Sequence, residues 1–222
     1  MNFGQMKERA AYLIAMDGWD KVPVMPDMGT LVNAGLQKWA WDTEYNVSTV
    51  TVNTVASQAE YTLPTPDWKH LTDVIYNGQI PLTKSSERAL RTEDELWLTR
   101  DAATPERFML QSPNVLRLHP KPSTGSIAVT VRGIQMPAAL SADSDTPACP
   151  AAFHEAVVLA AVLDHVKQYV KEDADVARVS MFQQEYAEAR AKCRTYLASM
   201  RNRGASRNVR QSSPGFVQFI GG

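Results

Sequence analysis

Late in the chain the apolar positions repeat at helical spacing. Phe182, Tyr186, Ala189, Cys193, Tyr196 and Met200 follow one another at steps of 4, 3, 4, 3 and 4, which places all six on one stripe of a helix and predicts a packing seam. Upstream, Ala156 to Leu163 is a run of eight apolar residues. A helix there has no polar face except toward its ends and must be covered nearly all round. Joined through Glu172, Asp173, Ala174 and Asp175, the two make an antiparallel hairpin whose apolar surface needs further partners. Other parts of the chain or neighbouring copies must supply them.

The same periodicity opens the chain. Met6, Ala10, Leu13 and Ile14 mark a short amphipathic helix over residues 5–16 that ends near Asp17-Gly18, and Trp19 to Pro26 reads as a loop. Asp27 is an N-cap for a second helix through Leu31, Val32, Gly35, Trp39 and Ala40 to about Glu44. Glycine in mid-helix costs about 1 kcal/mol relative to alanine, so Gly35 points to a close helix contact.

After Tyr45 the period changes to two. Val47 to Val55 alternates in a β-rich run, Tyr61 to Leu63 is a short strand stopped by Pro64 and Pro66, and Leu71 to Tyr76 is another. Asn77-Gly78 is a strong hairpin signal leading into Gln79 to Leu82. Ser86 to Leu98 is charged and holds a short helix, with Leu90, Leu96 and Trp97 touching the core. Phe108 to Gln111 and Val115 to Leu118 flank the turn Ser112-Pro113-Asn114, and Ile127 to Ile134 alternates again.

The expected fold is α+β: a helical core from residues 1–46 and 138–200, an inserted antiparallel β domain of five to seven strands over 47–137, and an extended basic C-terminal arm over 201–222. The segment from Pro137 to Pro150 is a linker back to the helices, and Pro150 suits the first turn of the next one.

Charge sharpens this division. The chain of 222 residues has a formal net charge of −1. From Arg201 onward there are four arginines and no acid, so removing the arm leaves −5 for residues 1–200. The stretch Arg201 to Gly215 cannot bury enough apolar surface to fold alone, yet it leads to a compact apolar hook of Phe216, Val217, Phe219 and Ile220. Such a strap with anchors at its tip binds something. One reading is nonspecific nucleic-acid contact through phosphate charge. The favoured one is an acidic groove of a protein partner, because the arm has arginine without lysine and ends in aromatic anchors.

Chemistry is sparse. The histidines His70, His119, His154 and His165 are scattered, and none sits with Cys, Asp or Glu at zinc spacing. Asp143 and Asp145 lack the other ligands and the glycine of a calcium loop. No phosphate loop, Gly-x-Ser-x-Gly or Cys/His nucleophile pair is present. Glu87, Glu93, Asp94 and Glu95 interleaved with Arg88 and Arg91 read as an exposed face with local ion pairs. The two cysteines, Cys149 and Cys193, are too few for a disulfide scaffold. Met6-Lys7-Glu8-Arg9 is charged where a signal peptide turns apolar, and no apolar run approaches the ~20 residues of a membrane span. These features imply a protein that is neither exported nor in a membrane, without catalytic residues, metal or cofactor.

Several stretches together resemble the adaptor proteins of tailed bacteriophages. They are Leu31-Val32-Asn33-Ala34-Gly35-Leu36, the run from Val50 to Pro64 containing Gln58-Ala59-Glu60-Tyr61-Thr62-Leu63-Pro64, and Asn114-Val115-Leu116-Arg117-Leu118-His119-Pro120-Lys121-Pro122. Met136-Pro137-Ala138-Ala139-Leu140, Asp145-Thr146-Pro147 and Pro150 with Phe153-His154 add to the likeness, which covers about residues 28–200. Such adaptors join the portal of the DNA-filled head to the tail. The resemblance implies a virion structural protein at the head-tail interface, assembled in the host bacterial cytoplasm. It further implies a ring of copies, twelve to match the portal, with the helical core against the portal and the β domain facing neighbours or the downstream tail or nozzle protein. Double-stranded DNA passes through without specific binding. Arg201, Arg203, Arg207, Arg210, Phe216, Val217, Phe219 and Ile220 become a portal-docking arm. Trp39-Ala40-Trp41 is not part of the family pattern.

Overall fold

A computed structural model describes residues 1–15, 27–64, 67–93, 96–167 and 173–208, except for the side chains of 173–175 and 201–208. The loop expected at Trp19–Pro26 lies outside the described residues, as do Glu172, Asp94 and Glu95 of the sequence reading.

Four helices form the first body. α1 (Phe3–Ala15) starts two residues earlier than its apolar pattern implies, because Asn2 and Gln5 cap it reciprocally: Gln5 N–H donates to Asn2 Oδ1 at 2.9 Å and Asn2 N–H to Gln5 Oε1 at 3.0 Å. α2 (Met28–Thr43) is capped by Asp27, whose carboxylate accepts from the Thr30 hydroxyl and from the Gly29 and Thr30 N–H groups and is thereby held below its usual pKa. It ends at Glu44 in the left-handed conformation, with the Glu44 N–H on the Ala40 carbonyl at 2.9 Å.

α4 (His154–Val166), entered through a 3-10 turn at Ala151–Phe153, is the apolar run. It is covered by α1, α2 and α5 (Asp173–Asn208), so the partners its surface requires come from its own chain. Gly35 lets α2 reach α4: a Cβ there would lie 2.6 Å from the Ala161 methyl and 2.6 Å from the Val157 carbonyl oxygen. Trp39, fully buried, joins the helices from within, its ring centroid 5.7 Å from Tyr186 and 5.9 Å from Phe153. His154 accepts from the Met1 amine at Nδ1 (2.8 Å) and donates from Nε2 to the Cys149 carbonyl (3.0 Å), which fixes its tautomer.

The second body contains two four-stranded sheets around one core. The first has the order β1 (Val47–Asn53), β8 (Ala128–Gln135), β3 (Trp68–Tyr76), β4 (Ile80–Pro81). The second has the order β2 (Glu60–Thr62), β7 (Val115–His119), β6 (Arg107–Ser112), β5 (Thr83–Lys84). Eight short strands thus replace the five to seven read from periodicity. β5 pairs parallel with β6, a pairing too short to leave a period in the sequence. Tyr61, Leu116, Leu118 and Phe108 from one sheet meet Leu71, Val74, Val129 and Val131 from the other. α3 (Glu87–Glu93) puts Leu90 against Trp97 and Met109, whereas Leu96, expected to touch the core, is exposed; in the turn after α3 it is Trp97 that points inward. The acidic face is ion-paired where described: Glu87 with Arg91 at 2.5 Å and Glu93 with Arg107.

The bodies are joined at Asn46 and Gln135, where the Gln135 N–H donates to the Asn46 carbonyl at 3.0 Å and Asn46 Nδ2 to the Gln135 carbonyl at 2.9 Å. Lys69 on β3 pairs with Glu44 at 3.0 Å and lies over the ring of Trp41, 4.5 Å from its centroid.

Candidate interaction surfaces

At 36 residues α5 is about 54 Å long, against about 20 Å for α4, so it outruns the bundle that holds it. Phe182, Tyr186 and Cys193 are buried in the helical core and Ala189 is half-buried against it. Beyond Cys193 the contact passes to half-buried Leu197, as 3.6 residues per turn carries a step of four back to the covered side. Tyr196 and Met200 stay 41% and 51% exposed; the Tyr196 ring touches only the edge of the bundle, 6.1 Å from Phe153.

Polar contacts anchor the inner half. Tyr186 O–H donates to Asp42 Oδ2 at 2.8 Å, Arg194 donates to the Asp42 carbonyl at 2.7 Å, and Arg190 lies 3.9 Å from the same carboxylate. Burial, then the bond to Asp42, raises the Tyr186 pKa. All three grip the C-terminal end of α2, so α5 leaves the bundle at a fixed point.

The composition of the arm implies an extended strap from residue 201, but the backbone stays helical through Asn208. Propagating an existing helix avoids the cost of nucleating one, and Arg201, Arg203, Ala205 and Arg207 are good helix formers. Arg201, Arg203 and Arg207 therefore lie on α5. Arg210, Phe216, Val217, Phe219 and Ile220 lie outside the described residues.

Little chemistry gathers elsewhere. A cleft of about 350 Å³ between α1, α4 and α5 is lined by Arg9, Tyr12, Glu155, Arg178, Met181 and Glu185 among others. Its Arg9 and Glu155 pair at 2.8 Å, and no serine, cysteine or histidine reaches it. Asp143 pairs with Lys7 at 2.5 Å, and Asp145 accepts from the Ser141 and Ala142 N–H groups of its own loop. Among the described residues no group of three or more His, Cys, Asp or Glu side chains could hold a metal ion. Burial pushes the Cys149 thiol up to about 12 and raises that of Cys193, so both behave as apolar filling.

Comparison with known proteins agrees with this emphasis on surfaces. No curated protein matches the chain. The model of one family, SU10 adaptor protein, matches residues 1–212, a span that takes in both bodies, all of α5 and the four arginines, and the chain belongs to that family.

Proposed function

We propose that twelve copies of this phage structural adaptor form a ring beneath the portal, seal the DNA channel there, and present a docking surface to the next tail or nozzle protein. The observation that carries the reading is the outer end of α5. Its apolar stripe continues through Tyr196 and Met200, which its own subunit leaves in large part exposed, and three arginines follow on the same helix. An apolar and basic helix end suits a groove on an acidic protein partner. With Arg210 and the Phe216, Val217, Phe219 and Ile220 hook it makes a docking arm for the portal.

Such a ring needs head-to-tail contacts between copies, which close when the rotation from one copy to the next divides a full turn. A body of charge −5 in each copy supports a bore that repels phosphates, so that double-stranded DNA slides through. Assembly takes place in the host bacterial cytoplasm and the product resides in the virion; no described helix is long and apolar enough to cross a membrane. The role is structural, with no cofactor.

Deleting residues 201–222 tests the arm. Among the described side chains the last core contact is at Leu197, so the truncated body is expected to fold and co-sedimentation with portal rings to be lost. Truncated protein that sediments with portal as well as the full chain overturns the assignment. A second reading, a nucleic-acid-binding module, rests on four arginines without an acid. It requires binding to labelled DNA that weakens steeply between two salt concentrations.

A further inference from the structure

Among the described residues β1 is an edge strand with no partner on one side. It pairs with β8 without a register shift from Val47↔Ile134 to Asn53↔Ala128, and the sheet order places nothing beyond it. Two hydrogen bonds fix which way its backbone faces: Gln135 N–H to the Asn46 carbonyl, and Thr54 N–H to the Ile127 carbonyl. Even-numbered residues therefore bond to β8, while Thr49, Thr51 and Asn53 turn their N–H and C=O groups outward. Edge strands are ordinarily protected by lysine, proline, a bulge or brevity. Val47-Ser48-Thr49-Val50-Thr51-Val52-Asn53 has none of these.

The occupant follows from what the chain has to offer. The other described sheet edges are β4, two residues with Pro81, the part of β3 beyond the two residues that β4 covers, which is bulged between Trp68 and His70 and between Leu71 and Asp73, β2, three residues, and β5, two residues. None can run along a seven-residue ladder, so head-to-tail pairing between sheets has no complement. β1 complements itself. Laid antiparallel on a second copy about a two-fold axis through Thr51, it sets Thr51 against Thr51, Thr49 against Asn53 and Val47 against Val55. Val47 and Val55, 46% and 54% exposed, then cover one another, and no like charges meet.

The ladder also ends where it should. The Val47 N–H is already bonded to the Tyr45 carbonyl at 3.0 Å. The Val55 backbone is taken by the Tyr61 hydroxyl, which accepts from its N–H at 3.2 Å and donates to its carbonyl at 3.1 Å. We infer that β1 is the contact of a two-fold dimer of this chain, joining two four-stranded sheets into one. About six new backbone hydrogen bonds form. The contact is smaller than the ~800 Å² per partner of a stable interface, so the dimer is weak and depends on concentration. A two-fold contact closes on itself and cannot propagate round a ring; it covers the bare edge in the free protein. The inference rests on β1 alone and is independent of the portal reading.

Single cysteines in the full chain test both partner and register, since Cys149 and Cys193 are buried. Residues facing each other in a hydrogen-bonded pair have Cα atoms about 5.5 Å apart, within disulfide reach. Thr51→Cys is expected to give a disulfide-linked dimer on mild oxidation. Thr49→Cys alone and Asn53→Cys alone form no disulfide, and a mixture of the two cross-links. Sedimentation of the wild type at about 100 μM is expected to show dimer, and Thr51→Lys, which sets like charges together at the axis, to weaken association at least tenfold. Any of three results overturns the inference: no cross-link from Thr51→Cys, Thr49→Cys linking to itself as readily as to Asn53→Cys, or an undiminished dimer in Thr51→Lys.

Discussion

α4 and α5 lie side by side in one bundle, yet they suit opposite surroundings. Eleven of the thirteen residues of α4 are buried, whereas among residues 176–200 of α5 only Val179, Phe182, Tyr186 and Cys193 are. An all-round apolar helix in this protein is a matter for its own subunit: α1, α2 and α5 close over it and nothing is left for a neighbour. A stripe that outlasts its cover is a different signal. The apolar surface left uncovered lies on the helix with the weaker apolar pattern, and greasiness alone points to the other one.

The adjacent tryptophans of α2 break the comparison most sharply. Trp39 is fully buried between Tyr186 and Phe153, at the junction of α2, α4 and α5, while Trp41, two residues on, is exposed beneath Lys69. Trp39→Ala is expected to cost about 3–5 kcal/mol in urea denaturation through the cavity it leaves, and Trp41→Ala no more than about 1 kcal/mol. Equal losses would mean that α2 is held from its outer face.

A smaller effect concerns His165, near the end of α4. Burial lowers its pKa from the ordinary 6.5, so the unfolded chain binds the proton more readily than the folded one. Its contribution is present above pH 6.5 and is lost as the pH falls through that value toward the lowered folded one. Thermal unfolding from pH 7.5 to 5 is expected to show a decline that is shallower in His165→Gln. Parallel profiles would assign the decline to other groups.

Much of this was legible in the sequence because it was local. Asp27 as a cap, Asn77-Gly78 as a hairpin and Gly35 as a close approach each depend on a few neighbouring residues, and each has its counterpart in the structure. What could not be read depended on distance. The sequence puts residues 1–46 and 138–200 in one helical core, but which faces of α1 and α2 cover α4, more than a hundred residues away, is set only by the tertiary fold. β5 is two residues long and pairs with β6 only through the tertiary fold. The helical start of the arm was missed because composition describes an isolated segment, whereas Arg201 to Asn208 inherit a helix already formed. Of the eight arm residues named from sequence, three fall on that helix; the six-residue seam divides into four that are buried or half-buried in the core and two that are exposed.

That division sets up the smallest expected effect on stability and the most informative one for function. Met200 is half-exposed at the far end of the stripe, three residues past the last core contact at Leu197. Met200→Ser should change unfolding free energy by no more than about 0.5 kcal/mol. Cys193→Ser, seven residues earlier on the same stripe, places a hydroxyl in the apolar core and should cost about 1–3 kcal/mol. If the outer stripe is an anchor for the portal, Met200→Ser weakens portal co-sedimentation about tenfold while Cys193→Ser, once folded, leaves it unchanged. The reverse pattern, with binding following the inner residue and ignoring the outer one, would mean that the portal reads the body of the bundle and that the end of α5 is solvated in the particle.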